Sequence, residues 1–217
     1  MKLKCAILDD YQHVALQFAD WSRISDRVEV RTFHEHMDEE ETLVRAIGDC
    51  EIVVIMRERT PFRASLLQRL PRLKLLITSG MRNASIDLGA AAAQGIFVCG
   101  TDSRSEPPAE LTWALILGLA RSVATEHHAL RTNGPWQSSV GADLHGKRLG
   151  LIGLGKIGSK VARVGLAFGM DVVAWSQNLT KEKAEAEGVR LASSLEELLS
   201  ESDFVSIHLV LSDRTRH

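Results

Sequence analysis

The strongest constraint on this chain is the stretch Gly153-Leu154-Gly155-Lys156-Ile157-Gly158, which closes the apolar run Leu149-Gly150-Leu151-Ile152 and opens an amphipathic segment near Lys156. A short apolar run, a glycine turn and then a helical period read as strand, tight turn, helix. In that setting each glycine has a physical task. Gly153 permits the sharp turn, Gly155 lets a pyrophosphate approach bare backbone, and Gly158 lets the helix pack close to the strand. The free N–H groups and the positive dipole end at the helix start would hold a phosphate.

Length and charge bound what such a unit can belong to. With 217 residues the chain can bury a sizeable core and hold two small domains. A formal net charge of −2 leaves no electrostatic footprint for nucleic acid or an anionic membrane. The longest apolar run, Trp113 to Ala120, falls far short of the about 20 residues that span a bilayer. The N-terminus lacks the basic, apolar and small-residue order of a signal peptide, so a cytoplasmic protein is expected. Cys5, Cys50 and Cys99 lie in or beside apolar runs without metal-ligand spacing, which predicts buried, reduced thiols and no metal site.

Strands and helices alternate through the first half. Strands are expected at Leu3–Leu8, Arg27–Phe33, Glu51–Met56, Leu73–Thr78 and Ile96–Cys99, and helices at Asp38–Ile47, from Pro61 to about Leu70, and at Ile86–Gln94. That alternation argues for a parallel sheet covered on both faces, an α/β fold. Composition changes at Gly100 to Pro108, a polar, proline-bearing hinge that sets domains at 1–100 and 101–217. One long helix is expected from Ala109 to about Arg131, with Leu111, Leu115, Leu119 and Val123 along one face. Its apolar residues cover much of its circumference, which calls for burial on more than one side, against a second subunit.

Past the glycine turn, the helix Ile157–Phe168 carries Val161, Val164 and Phe168 at core spacing, and Asp171–Trp175 is the next strand. Dinucleotide folds place a carboxylate about 20 residues past the glycines, where it bonds the adenosine ribose hydroxyls. Here Ser176-Gln177-Asn178 occupies that place. A carboxylate would repel a ribose 2′-phosphate, so its absence tilts the cofactor from NAD toward NADP, with Lys181 and Lys183 the nearby cations. Short helices at Lys181–Glu187 and Ser194–Leu199, a small strand at Gly188–Leu191 and a buried fourth strand at Asp203–His208 complete the pattern.

The run NGPWQSSVGADLHGKRLGLIGLGKIGSKVARVGLAFGMDVVAWSQN, preceded by AELTWALILGLAR and followed by SDFVSIHLVLSDRTRH, resembles the D-isomer-specific 2-hydroxyacid dehydrogenases. The pattern LPRLKLLITSGMRNASIDLGAAAAQGIFVCGT matches as well, so the likeness covers essentially the whole chain. It implies a flavodoxin-like outer domain, a Rossmann cofactor domain left incomplete here, and hydride transfer between NAD or NADP and a small 2-oxo or 2-hydroxy acid in the cleft between them. Gly153, Gly155, Lys156, Ile157 and Gly158 match the cofactor turn, and Ser176 the ribose-reading position. Val210 stands where many members have a proline beside the cofactor, and Thr215 matches a threonine that approaches it. The turn from Ser79 to Asn83, with Gly80, Met81 and Arg82, corresponds to the loop whose backbone N–H groups hold the substrate carboxylate. A homodimer through the long helix is also implied.

The family's catalytic arginine, glutamate and histidine match none of these residues and lie beyond Thr215, so the resemblance implies a truncated chain without its catalytic set. Reduction of a ketone needs a cation to orient the oxo acid and an acid for the developing alkoxide. His208, His127, His128 and His145 are the histidines available, and structural roles are expected for each. Arg57 and Arg82 are the cations that could meet a carboxylate, against the commoner reading of loop arginines as surface residues. Two readings follow: part of a NAD(P)-dependent dehydrogenase, or a non-catalytic dinucleotide-binding or interaction module of the same fold.

Overall fold

A computed structural model describes residues 1–212 and Thr215. Val210 and Thr215 therefore fall among the described residues, and Asp213, Arg214, Arg216 and His217 do not. The chain divides into two compact units, Met1–Ser103 and Arg104–His217.

The first unit is a five-stranded parallel sheet with strands β1 (Leu3–Ile7), β2 (Val28–Thr32), β3 (Ile52–Ile55), β4 (Leu75–Thr78) and β5 (Phe97–Gly100) in the order β2-β1-β3-β4-β5. Helices α1 (Glu40–Ile47), α2 (Ala64–Leu67) and α3 (Leu88–Ala93) form the crossovers. Parallel strands buried on both faces need apolar side chains pointing both ways. Leu8, Val53, Ile55 and Leu76 meet Leu43, Ile47, Leu66 and Leu67 of the helices in one core. Pro61 does not open a helix. The next residue, Phe62, is fully buried and pairs with Ile86 as a short parallel bridge, so α2 starts only at Ala64 and α3 only after the Asp87 cap. Cys5 and Cys50 are buried, whereas Cys99 is exposed because β5 is an edge strand.

The second unit begins with α4 (Glu106–Ala120) and α5 (Val123–Arg131). Strands β6 (Arg148–Ile152), β7 (Asp171–Trp175), β8 (Arg190–Leu191) and β9 (Phe204–Ile207) follow, with helices α6 (Lys156–Ala167), α7 (Lys181–Ala186) and α8 (Leu195–Glu201) between them. The parallel order β8-β7-β6-β9 is the start of a doubly wound sheet, with its topological switch between β6 and β9.

Five expectations change here. Pro107 and Pro108 sit in the first turn of α4 rather than in a hinge, where a missing N–H is harmless. The expected long helix is two helices, because Ser122 turns left-handed (φ 52°) and the Ala120 carbonyl accepts from Ala142 N–H at 2.7 Å. Its leucine face is the exposed one: Leu111, Leu115 and Leu119 are 61%, 60% and 74% exposed, while Ala109, Trp113, Ile116 and Ala120 enter the core. On α6 the buried stripe is Gly158, Val161, Ala162 and Gly165, with Val164 and Phe168 partly exposed. A Cβ at Gly165 would press on Leu149 and Val172 at 3.1 Å, so small residues bring this helix onto the sheet. Strand β9 is an exposed edge instead of a buried strand, with Ile207 69% exposed.

Candidate functional site

In the second unit the glycine turn sits at the switch point, where open parallel sheets bind ligands outside the carboxyl ends of their strands. Gly153 has φ +106°, a left-handed conformation, and a Cβ there would lie 2.8 Å from the His208 carbonyl oxygen. Its N–H donates to the Trp175 carbonyl at 2.9 Å, which ties the turn to the end of β7. A Cβ at Gly158 would collide with the Gly153 carbonyl oxygen, so the first turn of α6 rests directly on the strand end. Gly155, by contrast, has nothing within 4 Å of its missing Cβ.

Gly155 caps α6 without a side chain, and the first intrahelical bond runs from Ser159 N–H to the Gly155 carbonyl at 2.9 Å. The N–H groups of Lys156, Ile157 and Gly158 are thus the unpaired donors of the first turn. Three aligned donors, a positive helix end and an unobstructed approach over Gly155 make a cradle for an anionic phosphate. No carboxylate stands in the turn to oppose one.

Ser176 follows β7 directly and is half-buried, and its carbonyl accepts from Leu179 N–H at 3.0 Å. Across the switch point, the chain leaves β9 through His208 and Leu209 to an exposed Val210. Thr215 Oγ1 donates to the Val210 carbonyl at 2.8 Å and accepts from Ser212 N–H at 2.8 Å, which ties Thr215 to residues 210 and 212. Lys160 Nζ donates to Glu106 Oε1 at 2.8 Å and holds that carboxyl down at about 2, which joins α6 to the start of α4.

In the first unit, the ends of β3 and β4 carry the loop Ser79–Asn83. Gly80 has φ +92°, and the Arg57 guanidinium occupies the space a Cβ would need. Arg57 is itself left-handed (φ 53°); its N–H donates to Ser79 Oγ at 3.2 Å and its carbonyl accepts from Asn83 Nδ2 at 2.6 Å. The Gly80 N–H is already taken, donating to Thr101 Oγ1 at 3.0 Å. That narrows the expected set of carboxylate donors to the N–H groups of Met81 and Arg82, both on exposed residues. Gly100 lets this loop lie close, since a Cβ there would come 2.7 Å from the Gly80 carbonyl oxygen and 2.8 Å from the Met81 Cα.

Residues 113–217 match the family model of the D-isomer specific 2-hydroxyacid dehydrogenase NAD binding domain. The crystal structure of phosphoglycerate oxidoreductase from Vibrio cholerae is 34% identical to this chain, with a TM-score of 0.91 over 99% of it and 69% of that protein. The chain belongs to the D-isomer-specific 2-hydroxyacid dehydrogenases. Among relatives of this family, it is 40% identical over 161 residues to glyoxylate reductase of Aeropyrum pernix, covering 70% of this chain and 48% of that one. It is 35% identical over 180 residues to D-3-phosphoglycerate dehydrogenase of Methanocaldococcus jannaschii, covering 82% of this chain and 34% of that one. The chain thus spans about half the length of the first of these curated relatives and about a third of the second.

The turn from Gly153 to Gly158 therefore fits an NAD(P) pyrophosphate in a 2-hydroxyacid dehydrogenase, on an open cradle that a side chain at Gly155 would fill. The other expected residues divide. His127 and His128 are exposed on α5, and His145 packs under Gly169 beside the β6–β7 strand starts, at the opposite end of the sheet from the turn. His208 does reach the turn, its backbone lying beneath Gly153 and its Cβ within 3.7 Å of the position a Gly158 Cβ would take. Burial lowers its pKa, and its Nε2 shares a 3.0 Å hydrogen bond with Ser206 Oγ. The hydrogen bonds of Thr101 and Asn83 at the Gly80 loop went unread in the sequence. Their signal was position alone, a hydrogen-bonding side chain just past one strand end and within the loop past another.

Proposed function

We propose that this chain supplies the cofactor and carboxylate sites of a NAD(P)-dependent oxidoreductase that interconverts a 2-oxo acid and a D-2-hydroxy acid. The observation that carries the reading is the unobstructed cradle at Gly155 with the free N–H groups of Lys156, Ile157 and Gly158, in a chain of this family. Those donors hold the pyrophosphate, and the side of the turn formed by Val210 and Thr215 borders the cofactor. The nicotinamide, when bound, supplies or accepts the hydride. Ser176 meets the adenosine ribose, and the lack of a carboxylate at the end of β7 favours NADP, with Lys181 exposed nearby on α7. In the other unit, the Met81 and Arg82 N–H groups and the Arg57 guanidinium bind the substrate carboxylate. A planar guanidinium beside two amides matches a carboxylate's two oxygens. None of these residues takes the roles of the family's catalytic arginine, glutamate and histidine, so these residues by themselves bind nucleotide without turnover.

The exposed stripe Leu111, Leu115 and Leu119 supports a homodimer through α4. Trp113, 7% exposed, is used inside its own unit, which leaves the leucines as the dimer surface. Fluorescence titration with NADH and NADPH, a glyoxylate and hydroxypyruvate turnover assay, and sedimentation of the same sample test the whole reading. The expected result is a dimer that binds both nucleotides, NADPH more tightly, without turnover. Absence of nucleotide binding overturns the cofactor site, and turnover overturns the missing catalytic set.

A further inference from the structure

We propose that His208 is the proton-accepting member of the nucleotide cradle: its ring gains proton affinity when a pyrophosphate binds, so nucleotide affinity rises as pH falls through the neutral range. The inference rests on the cofactor reading above and assigns a role to a side chain that reading leaves unused.

The geometry begins with β9. Alternation along the strand puts Phe204, Ser206 and His208 on one face, and Phe204 packs into the core that α6 shares through Val161 and Ala162. His208 follows on the same side. Its N–H donates to the Ile152 carbonyl at 2.8 Å, its carbonyl lies against Gly153, and its Cβ lies beneath Gly158. The imidazole root is therefore placed under the first turn of α6, the turn whose N–H groups would hold the phosphates. Ser206 Oγ holds Nε2 at 3.0 Å. The other ring nitrogen has no hydrogen-bond partner among the described residues and is open to change with the ligand.

The charged groups on the packed elements are mostly paired with one another and leave burial as the cause that disfavours a charged ring. On α6 these are Lys156, Lys160 and Arg163, with Lys160 paired to Glu106 and Arg163 to Glu187. On β6 the single charged residue is Arg148, at the far end of the strand with Asp171, Asp203 and Glu201. On β9 and its approach it is Asp203, which accepts from Arg148 N–H and Lys147 Nζ at that same far end. The positive end of α6 adds to the burial in disfavouring an imidazolium. A pyrophosphate reverses this balance, because its two negative charges arrive on the same helical turn and stabilise a cation below it. The proton comes from solvent and leaves with the nucleotide.

The test uses ADP-ribose, whose pyrophosphate keeps its charge across the neutral range, with the 217-residue chain and with His208→Gln, which can keep the Ser206 hydrogen bond but cannot titrate. Calorimetry between pH 5.5 and 8.5 is expected to show roughly tenfold tighter binding at the acid end for the wild type, as a rise of one unit in the ring's proton affinity requires. His208→Gln should change less than about twofold over the same interval. A second measurement needs no variant: at pH 7, the wild-type binding enthalpy should differ between two buffers of unequal ionisation enthalpy, reporting net proton uptake. Superimposable pH profiles for the two proteins, or a buffer-independent enthalpy, overturn the role of His208 while leaving the cofactor site standing. No binding of ADP-ribose at any pH overturns both.

Discussion

Each unit ends a parallel strand in a left-handed glycine, Gly80 after β4 and Gly153 after β6, yet the two turns are built from different material. Around Gly153 the nearest walls are backbone, the His208 carbonyl below Gly153 and the Gly153 carbonyl below Gly158, with Leu209 Cδ2, 3.0 Å from where a Gly153 Cβ would lie, the one close side chain and open space over Gly155. Around Gly80 the near walls are side chains, with the Arg57 guanidinium against Gly80, Thr101 Oγ1 on its N–H and the Asn83 amide across the loop. A backbone cradle is indifferent to side-chain identity and suits a group every dinucleotide shares. A loop walled by side chains can be retuned residue by residue, as a binding loop under selection for specificity requires.

The difference predicts that the same substitution acts differently in the two places. Gly158→Ala is expected to have the largest effect, because its methyl meets the Gly153 carbonyl oxygen and only a shift of α6 against β6 relieves it. Overpacking of this kind costs about 3 kcal/mol. Urea denaturation should show that loss together with loss of ADP-ribose binding. A stability change within about 0.5 kcal/mol would mean that the helix yields freely and that the backbone wall is not rigid.

Gly80→Ala comes next. Its methyl meets the flexible end of Arg57, which can swing away, so the main penalty is the left-handed φ at about 1–2 kcal/mol. The steric part should vanish in an Arg57→Ala background, giving a coupling of about 0.5–1 kcal/mol between the two sites in a double-mutant cycle. Additive effects would show that Arg57 does not wall the glycine, and would remove the basis for calling this loop adjustable.

How much of this could be read from the sequence follows the same division. The glycine turn was legible because its walls are backbone and its demands are written as glycines at fixed spacing between a strand and a helix. The place of Ser176 at the end of β7 was legible by its distance from them. The division of the helical stretch at Arg121-Ser122 was not, since neither residue breaks helices locally. The break is imposed from outside by Ala142 N–H taking the Ala120 carbonyl, and by Arg121 bonding Asp143 at 2.9 Å. The core face of α4 was misread for a related reason: spacing by four picked out four apolar residues, and only packing against α6 shows that Trp113 and Ile116 point inward. The engagement of Gly80 N–H by Thr101 joins residues 21 apart in sequence and left no local trace.

Gly155→Ala isolates what the cradle is for. The residue has φ −89°, which any amino acid adopts, and nothing lies within 4 Å of the new methyl, so neither backbone strain nor collision opposes it. Alanine is a poor helix N-cap, but glycine is also capped by nothing here, so the change in stability should stay within about 0.5 kcal/mol. The methyl nevertheless takes up open space at the turn, where a phosphate oxygen would need van der Waals approach to bare backbone. ADP-ribose affinity is expected to fall at least about tenfold, equivalent to about 1.4 kcal/mol, in a protein whose urea midpoint is unchanged. Gly158→Ala cannot make that separation, because it damages fold and site together. If Gly155→Ala binds the nucleotide as tightly as the parent, the open space over that residue has no ligand to receive, and the open turn is a packing detail.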